Sequence, residues 1–110
     1  MSTTFGSCID QVINNLKNGN ICNTGSSFKI KLNESQYAEV LYEKKGHIYD
    51  LQHTSIPEDY QGKGLGSIVA ERVFHHLIDA DKDVKIKLTC EYLQHYQNKN
   101  KNKYDLYITQ

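Results

Sequence analysis

The stretch from Ile56 to Gly66, Ile-Pro-Glu-Asp-Tyr-Gln-Gly-Lys-Gly-Leu-Gly, constrains this chain more than any other. It sets glycine at positions 62, 64 and 66, between an extended, β-rich segment and an amphipathic run that continues to Asp79. Glycine has no Cβ, so the backbone can take positive φ and approach a ligand closely. The first amides of the following helix have no partner inside it, and the helix dipole adds partial positive charge there. Such a corner binds phosphate or diphosphate through its N–H groups. Lys63 adds a full charge at the rim. The plainer alternative is a strand-turn-helix corner whose glycines serve tight packing, and the loop alone does not separate the two.

The rest of the chain supplies the frame. Phe5, Ile9, Val12, Ile13 and Leu16 recur at spacings of three and four and predict a helix over 5–17, after four disordered residues. Asn18-Gly19-Asn20 ends it, since these residues tolerate the left-handed conformation beyond a helix. Residues 21–26 are polar and are expected to form a loop. Phe28, Ile30 and Leu32 alternate with lysines, then Ala38, Val40 and Tyr42 alternate in the same way. Lys44-Lys45-Gly46 marks a turn, and 47–56 gives a third strand with Tyr49, Leu51, His53 and Ser55 on one face. Short turns join these three strands, so they predict an antiparallel meander.

After the glycine loop, Leu65, Ile68, Val69, Val73, His76 and Leu77 form one helical stripe, leaving His75 exposed. Asp81-Lys82-Asp83 breaks it, and Val84, Ile86 and Leu88 predict a strand parallel to the third by a right-handed crossover. A short helix over 91–97 and a solvated Asn-Lys linker over 98–103 follow. The last stretch, Tyr104 to Ile108, fits a strand and a helical turn equally.

Which phosphate ligand suits the loop? The Walker pattern requires Gly-Lys-Ser/Thr, which is missing, and a dinucleotide fingerprint would need glycine where Ser67 stands. Gln61-x-x-Gly64-x-Gly66 instead matches the Q/R-x-x-G-x-G/A signature of the GNAT superfamily of acetyl-CoA-dependent N-acetyltransferases. The run Asp50 to Pro57, with its His53-Thr54-Ser55-Ile56-Pro57, and the later Cys90-Glu91-Tyr92 resemble the branch of small, single-domain N-acetyltransferase-domain-containing proteins. That branch is typified by H-T-x-V/I-P and C-x-Y. The likeness covers residues 27 to 97.

The resemblance implies an α/β fold of α+β type: a mixed sheet in a shortened GNAT arrangement, an antiparallel meander followed by β-α-β with splayed parallel strands. It divides the chain into an N-terminal helix and loop extension over 1–26, a GNAT-like domain over 27–97, and a polar linker with C-terminal segment over 98–110. The role of the N-terminal helix stays open. The resemblance also implies that backbone groups of His53, Thr54 and Ser55 contact the pantetheine arm. Amides of Gln61, Gly62, Lys63, Gly64, Leu65 and Gly66 would hold the diphosphate.

Acetyl transfer needs a deprotonated amine, a polarised thioester and a proton for the departing sulfur. Imidazole suits the first task, and His53 stands near the end of the third strand. It serves as base, directly or through a water, or else as a hydrogen-bonded sheet residue. Cys90 closes the parallel strand, where it either carries the acetyl group as a nucleophile or fills space as a small apolar residue. Tyr92 and Tyr96 lie four apart on one face of the next helix. In many GNAT enzymes a tyrosine there protonates the sulfur, so the resemblance implies Tyr92, or else Tyr96, as the acid, with packing as the other role of each. The expected reaction moves acetyl to a primary amine of a protein lysine, an N-terminus or a small molecule. The alternative is a non-catalytic module that keeps the acyl-CoA pocket or only its scaffold.

Composition narrows the rest. At 110 residues the chain makes one domain, and 13 basic against 13 acidic residues leave no field to recruit nucleic acid or acidic membranes. No apolar run approaches membrane-span length and no signal-peptide pattern opens the chain. Cys8, Cys22 and Cys90 form neither an even framework nor a metal-ligand pair, so free thiols in the cytoplasm or nucleus, and no metal, are expected. A monomer or weak dimer is expected to act on the amine acceptor.

Overall fold

The computed structural model describes residues 5–109. The expected disorder of residues 1–4, and the expectations placed on the Phe5 and Cys8 side chains, lie outside what is described. The elements run α1 (Phe5–Asn18), β1 (Ile21–Asn23), β2 (Ser27–Lys31), β3 (Tyr37–Lys45), β4 (Ile48–Ser55), a short 3-10 turn (Glu58–Tyr60), α2 (Leu65–Ala80), β5 (Lys85–Leu88), α3 (Glu91–Lys99), α4 (Lys101–Tyr104) and β6 (Ile108–Thr109). The strands form one sheet in chain order. β1 to β4 are antiparallel, whereas β4, β5 and β6 are parallel, which is the expected meander followed by β-α-β.

Alternation decides which side of the sheet is covered. Phe28, Ile30, Leu32, Ala38, Val40, Tyr42, Leu51 and Ile86 face one way and are buried under Val12 and Leu16 of α1, the α2 stripe, and Leu93. At about 25 cal/mol per Å² of apolar area, this shared face is the main source of stability. The other face carries Lys29, Lys31, Tyr37, Glu39, Leu41, Glu43, Ile48 and Asp50 and has no helix over it among the described residues. The domain is therefore two-layered.

Three local expectations are corrected. Residues 21–23 are a strand, not a loop, pairing with β2 and held from the side by the Tyr42 hydroxyl, which donates to Asn23 Oδ1 at 2.6 Å. Residues 98–103 are largely helical, since α3 continues to Lys99 and α4 follows. The anchor is Tyr104, buried edge-on against Phe74 at 4.8 Å, and Lys103 reaches Glu71 at 3.2 Å. Composition here reports the solvated face and not the tyrosine beneath. The third correction is a β-bulge in β4. Leu41 pairs with His53 and Tyr42 with Leu51, so Gln52 is an extra residue. Tyr49 and Leu51 face the helices as expected, but beyond Gln52 the parity inverts: Thr54 turns inward while His53 and Ser55 turn to the open face.

One side chain fastens α1 to the body. The guanidinium of Arg72 on α2 donates to the carbonyls of Leu16 and Gly19, satisfying the end of α1 in a forked arrangement. Arg72→Leu should lower the unfolding free energy by about 2 kcal/mol, and Arg72→Lys should recover only part of it, since an ammonium lacks the fork. Urea denaturation measures both; a loss within error for Arg72→Leu would show α1 held by apolar packing alone.

At the opposite end His47 and Asp81 pair at 2.6 Å, joining the β3–β4 turn to the exit of α2. The His47 hydrogen bond first, and the Asp83 amide second, hold the Asp81 carboxyl below its usual value of 3.8. A depressed acid contributes stability above its unfolded pKa and loses it as pH falls through the folded one. Asp81→Asn should therefore be less stable than wild type at pH 6, and the gap should narrow as pH falls below the ordinary carboxylate value of 3.8. A gap that persists unchanged in acid would contradict this account.

Candidate functional site

The site begins where two parallel strands part. β4 and β5 pair from Ile48↔Lys85 to Leu51↔Leu88 and no further. The Leu51 carbonyl then accepts from two amides, Thr89 N at 3.1 Å and Cys90 N at 3.0 Å. Cys90 is the N-cap of α3, so the chain leaves the sheet there while β4 runs on to Ser55. Residues 53–55 of β4 consequently pair with β3 alone and present a free backbone edge to the gap.

The glycine loop closes the end of this gap. Gly62 and Gly64 have φ of 77° and 78°, a region that costs an ordinary L-residue about 1–2 kcal/mol. A Cβ at either would meet nothing within 4 Å, so conformation and not crowding demands glycine there. Gly64 is the N-cap of α2 with no side-chain cap. Among the described residues, none accepts a hydrogen bond from the amides of Gly62, Lys63 or Gly64. The Gln61 side chain braces the loop from within, donating to the Ile56 carbonyl at 2.9 Å. Gly66 differs. It is buried, and a Cβ there would run into the ring and hydroxyl of Tyr92.

Loop, strand edge and α3 enclose a cavity of about 320 Å³ lined by Thr54, Ile56, Tyr60, Gln61, Gly62, Gly64, Leu65, Gly66 and Tyr92. Lys63 is exposed beside it. Its size and mixed lining fall in the range of small-molecule sites. Thr54 Oγ1 lies 3.5 Å from Cys90 Sγ at the point of separation, and Cys90 is only 8% accessible. Tyr92, 43% accessible, leans across the start of α2.

The structure thus brings together Thr54, Gln61, Gly62, Gly64, Leu65, Gly66 and Tyr92 around one cavity, with Cys90 touching Thr54. His53 and Ser55 stand on the other side of the sheet from that cavity, an effect of the bulge. Tyr96, the other tyrosine of the pair, is half-buried against the core: its ring meets Phe74 edge-on at 5.6 Å and its hydroxyl lies 3.1 Å from that of Tyr104. Burial first, then that hydrogen bond, raise its pKa. Sequence reasoning missed Ile56 and Tyr60 as lining residues, and missed Asn33, whose Nδ2 donates to the Tyr60 hydroxyl at 2.8 Å. Nothing in the spacing of residues 33 and 60 signals that contact.

The sequence profile of the GCN5-related N-acetyl-transferase family matches residues 27–107, the span that contains the sheet from β2 to β5, the glycine loop and α2. The chain belongs to that family. Protein NATD1 of Mus musculus and of Gallus gallus are each 37% identical to it over 75 residues, covering 66% of this chain and 66% of theirs. Protein NATD1 of Homo sapiens is 37% identical over the same length, covering 65% of that protein. The match thus spans just under two thirds of these relatives' own length. Family membership gives the parted strands and the glycine corner their meaning as the parts of an N-acetyltransferase domain. No helix among the described residues is long and apolar enough to cross a membrane.

In this N-acetyltransferase domain the third glycine of the loop is a packing residue, which is open to test. Gly66→Ala should displace the exposed Tyr92 ring from the start of α2 and cost the fold less than about 1 kcal/mol, since the clash falls on the free end of that side chain. With Tyr92→Ala added, the double variant should lose clearly less than the sum of the single losses. Thermal unfolding reads the cycle, and strict additivity would contradict the contact.

Proposed function

We propose that this protein is an acetyl-CoA-dependent N-acetyltransferase that moves acetyl to a primary amine, acting in the cytoplasm or nucleus. The observation that carries the proposal is the set of loop amides at Gly62, Lys63 and Gly64, without acceptors among the described residues, at the start of α2 beside the parted strands. Such amides and the helix dipole suit a diphosphate, and Lys63 adds charge. The free edge of residues 53–55 suits the amide-bearing arm of the coenzyme, as one strand edge suits another. Cys22 and Cys90 are free thiols, in keeping with a reducing compartment.

The bulge then assigns two sides to the reaction. The coenzyme occupies the helix side of the gap, where Thr54, Cys90 and Tyr92 stand; the amine arrives from the open face, where His53 stands. His53 takes a proton from the ammonium, directly or through a water. The amine nitrogen bonds to the acetyl carbon as the C–S bond breaks, and the electron pair stays on sulfur. The Tyr92 hydroxyl supplies the proton that sulfur needs, and the phenolate regains one from the newly acylated nitrogen through water.

A second route is favoured by the contact between Thr54 Oγ1 and Cys90 Sγ. There the Cys90 sulfur receives the acetyl group, coenzyme A leaves as its thiol, and the amine displaces the cysteine sulfur. Mass spectrometry of the protein with acetyl-CoA separates the routes. Acetate retained on Cys90 and lost in Cys90→Ala identifies the covalent one; direct transfer leaves the protein unmodified. By the direct route His53→Ala should lower kcat about a hundredfold. Coenzyme binding without transfer to any amine would instead make the protein a non-catalytic acyl-CoA module.

A further inference from the structure

Among the described residues, a cavity larger than the one beside the glycine loop lies elsewhere. A space of about 570 Å³ opens where the last turn of α1 meets the β2–β3 turn, walled by Asn14, Asn18, Asn33, Lys29, Lys31 and Tyr37. Three observations tie it to the reaction. Asn33 in its wall donates at 2.8 Å to Tyr60 in the wall of the coenzyme cavity, so both lie at one end of the sheet. Lys29, Lys31 and Tyr37 project from the open face, the side on which His53 stands. And the register Lys29↔Glu39↔Ser55 puts the Lys29 backbone two strand spacings, roughly 10 Å, from Ser55, roughly 12 Å from His53, with Lys31 about 17 Å from His53.

The walls suit one kind of guest. Lys29 lies 4.0 Å from Glu39 and 5.5 Å from the Tyr37 ring, while Lys31 has no carboxylate partner among the described residues. Glu39 offsets Lys29 and Glu34 joins the lining, so Lys31 is the cation of this wall without a carboxylate partner among the described residues. Side-chain amides of Asn14 and Asn18 add neutral donors and acceptors. A volume of this order holds a small molecule and not a folded domain. We infer that this cavity is the acceptor's anchoring subsite, and that the acceptor is a small primary amine carrying a carboxylate or phosphate at the far end of an extended chain.

Lys31 and Lys29 hold the anionic end, and the amine extends along the open face to His53. This inference rests on the transferase reading, and its test is built to fail separately. Acetylation rates are measured for ω-aminocarboxylates, ω-aminoalkyl phosphates and plain alkylamines of matched chain length. The anionic amines should be preferred about tenfold in kcat/KM, with an optimum at one length, and the better anion identifies the source. Lys31→Met should erase the preference through KM and leave the plain amines unaffected. Lys45→Met, at the far end of the same face, should preserve it. Equal rates for anionic and plain amines overturn the inference, as does an equal loss for both in Lys31→Met, or transfer confined to acidic peptides. If no amine is acetylated, the transferase reading fails alone, and calorimetry with the ω-aminocarboxylates decides: binding weakened about tenfold by Lys31→Met sustains the subsite, and no binding overturns it.

Discussion

One carbonyl governs this architecture. By accepting from both Thr89 and Cys90, the Leu51 oxygen ends the β4–β5 ladder and starts α3 in the same place. The N–H and C=O groups of the residues beyond it on β4 need partners from elsewhere, because exposed strand edges are templates for pairing. The bulge at Gln52 adds twist at that point and sends alternate side chains to the face opposite the one alternation predicts. Gap, free edge and two-sidedness are all consequences of where that ladder stops.

The division between faces gives the small domain two separate approaches to one point. Helices cover one side and build the coenzyme cavity between the start of α2 and Tyr92 of α3. The uncovered side offers His53, Leu41 and Tyr37 in a continuous surface with the larger cavity beyond. A sheet covered on both sides would leave no such second approach. The glycines divide the work as well. Gly62 and Gly64 supply backbone angles, whereas Gly66 supplies room for an aromatic ring.

Much of this was legible in the residues themselves. Alternation at 28–32 and 38–42, helical spacing at 5–17 and 65–77, and the glycine triplet place the meander, α1, α2 and the corner correctly. The order of segments also identified the family. What escaped has a common cause, namely stability that comes from a distant partner. β1 is three residues held by pairing and by Tyr42; α4 and β6 depend on Tyr104 packed into Phe74. Propensity carries no record of such contacts. The bulge is hardest of all: Leu51, Gln52, His53 and Thr54 read as unbroken alternation, and only the Tyr42↔Leu51 and Leu41↔His53 pairings reveal the extra residue. The side of the sheet on which His53 stands was therefore not legible in sequence.

The central claim is that the amides of residues 62–64 await a diphosphate. The most direct test is an amide NMR titration of the full chain with coenzyme A. Binding should move the Gly62, Lys63 and Gly64 signals most, followed by those of residues 53–55 along the free edge of β4. If coenzyme A leaves these amides unmoved, or shifts only signals elsewhere, the corner does not hold the diphosphate and the account built on it is wrong.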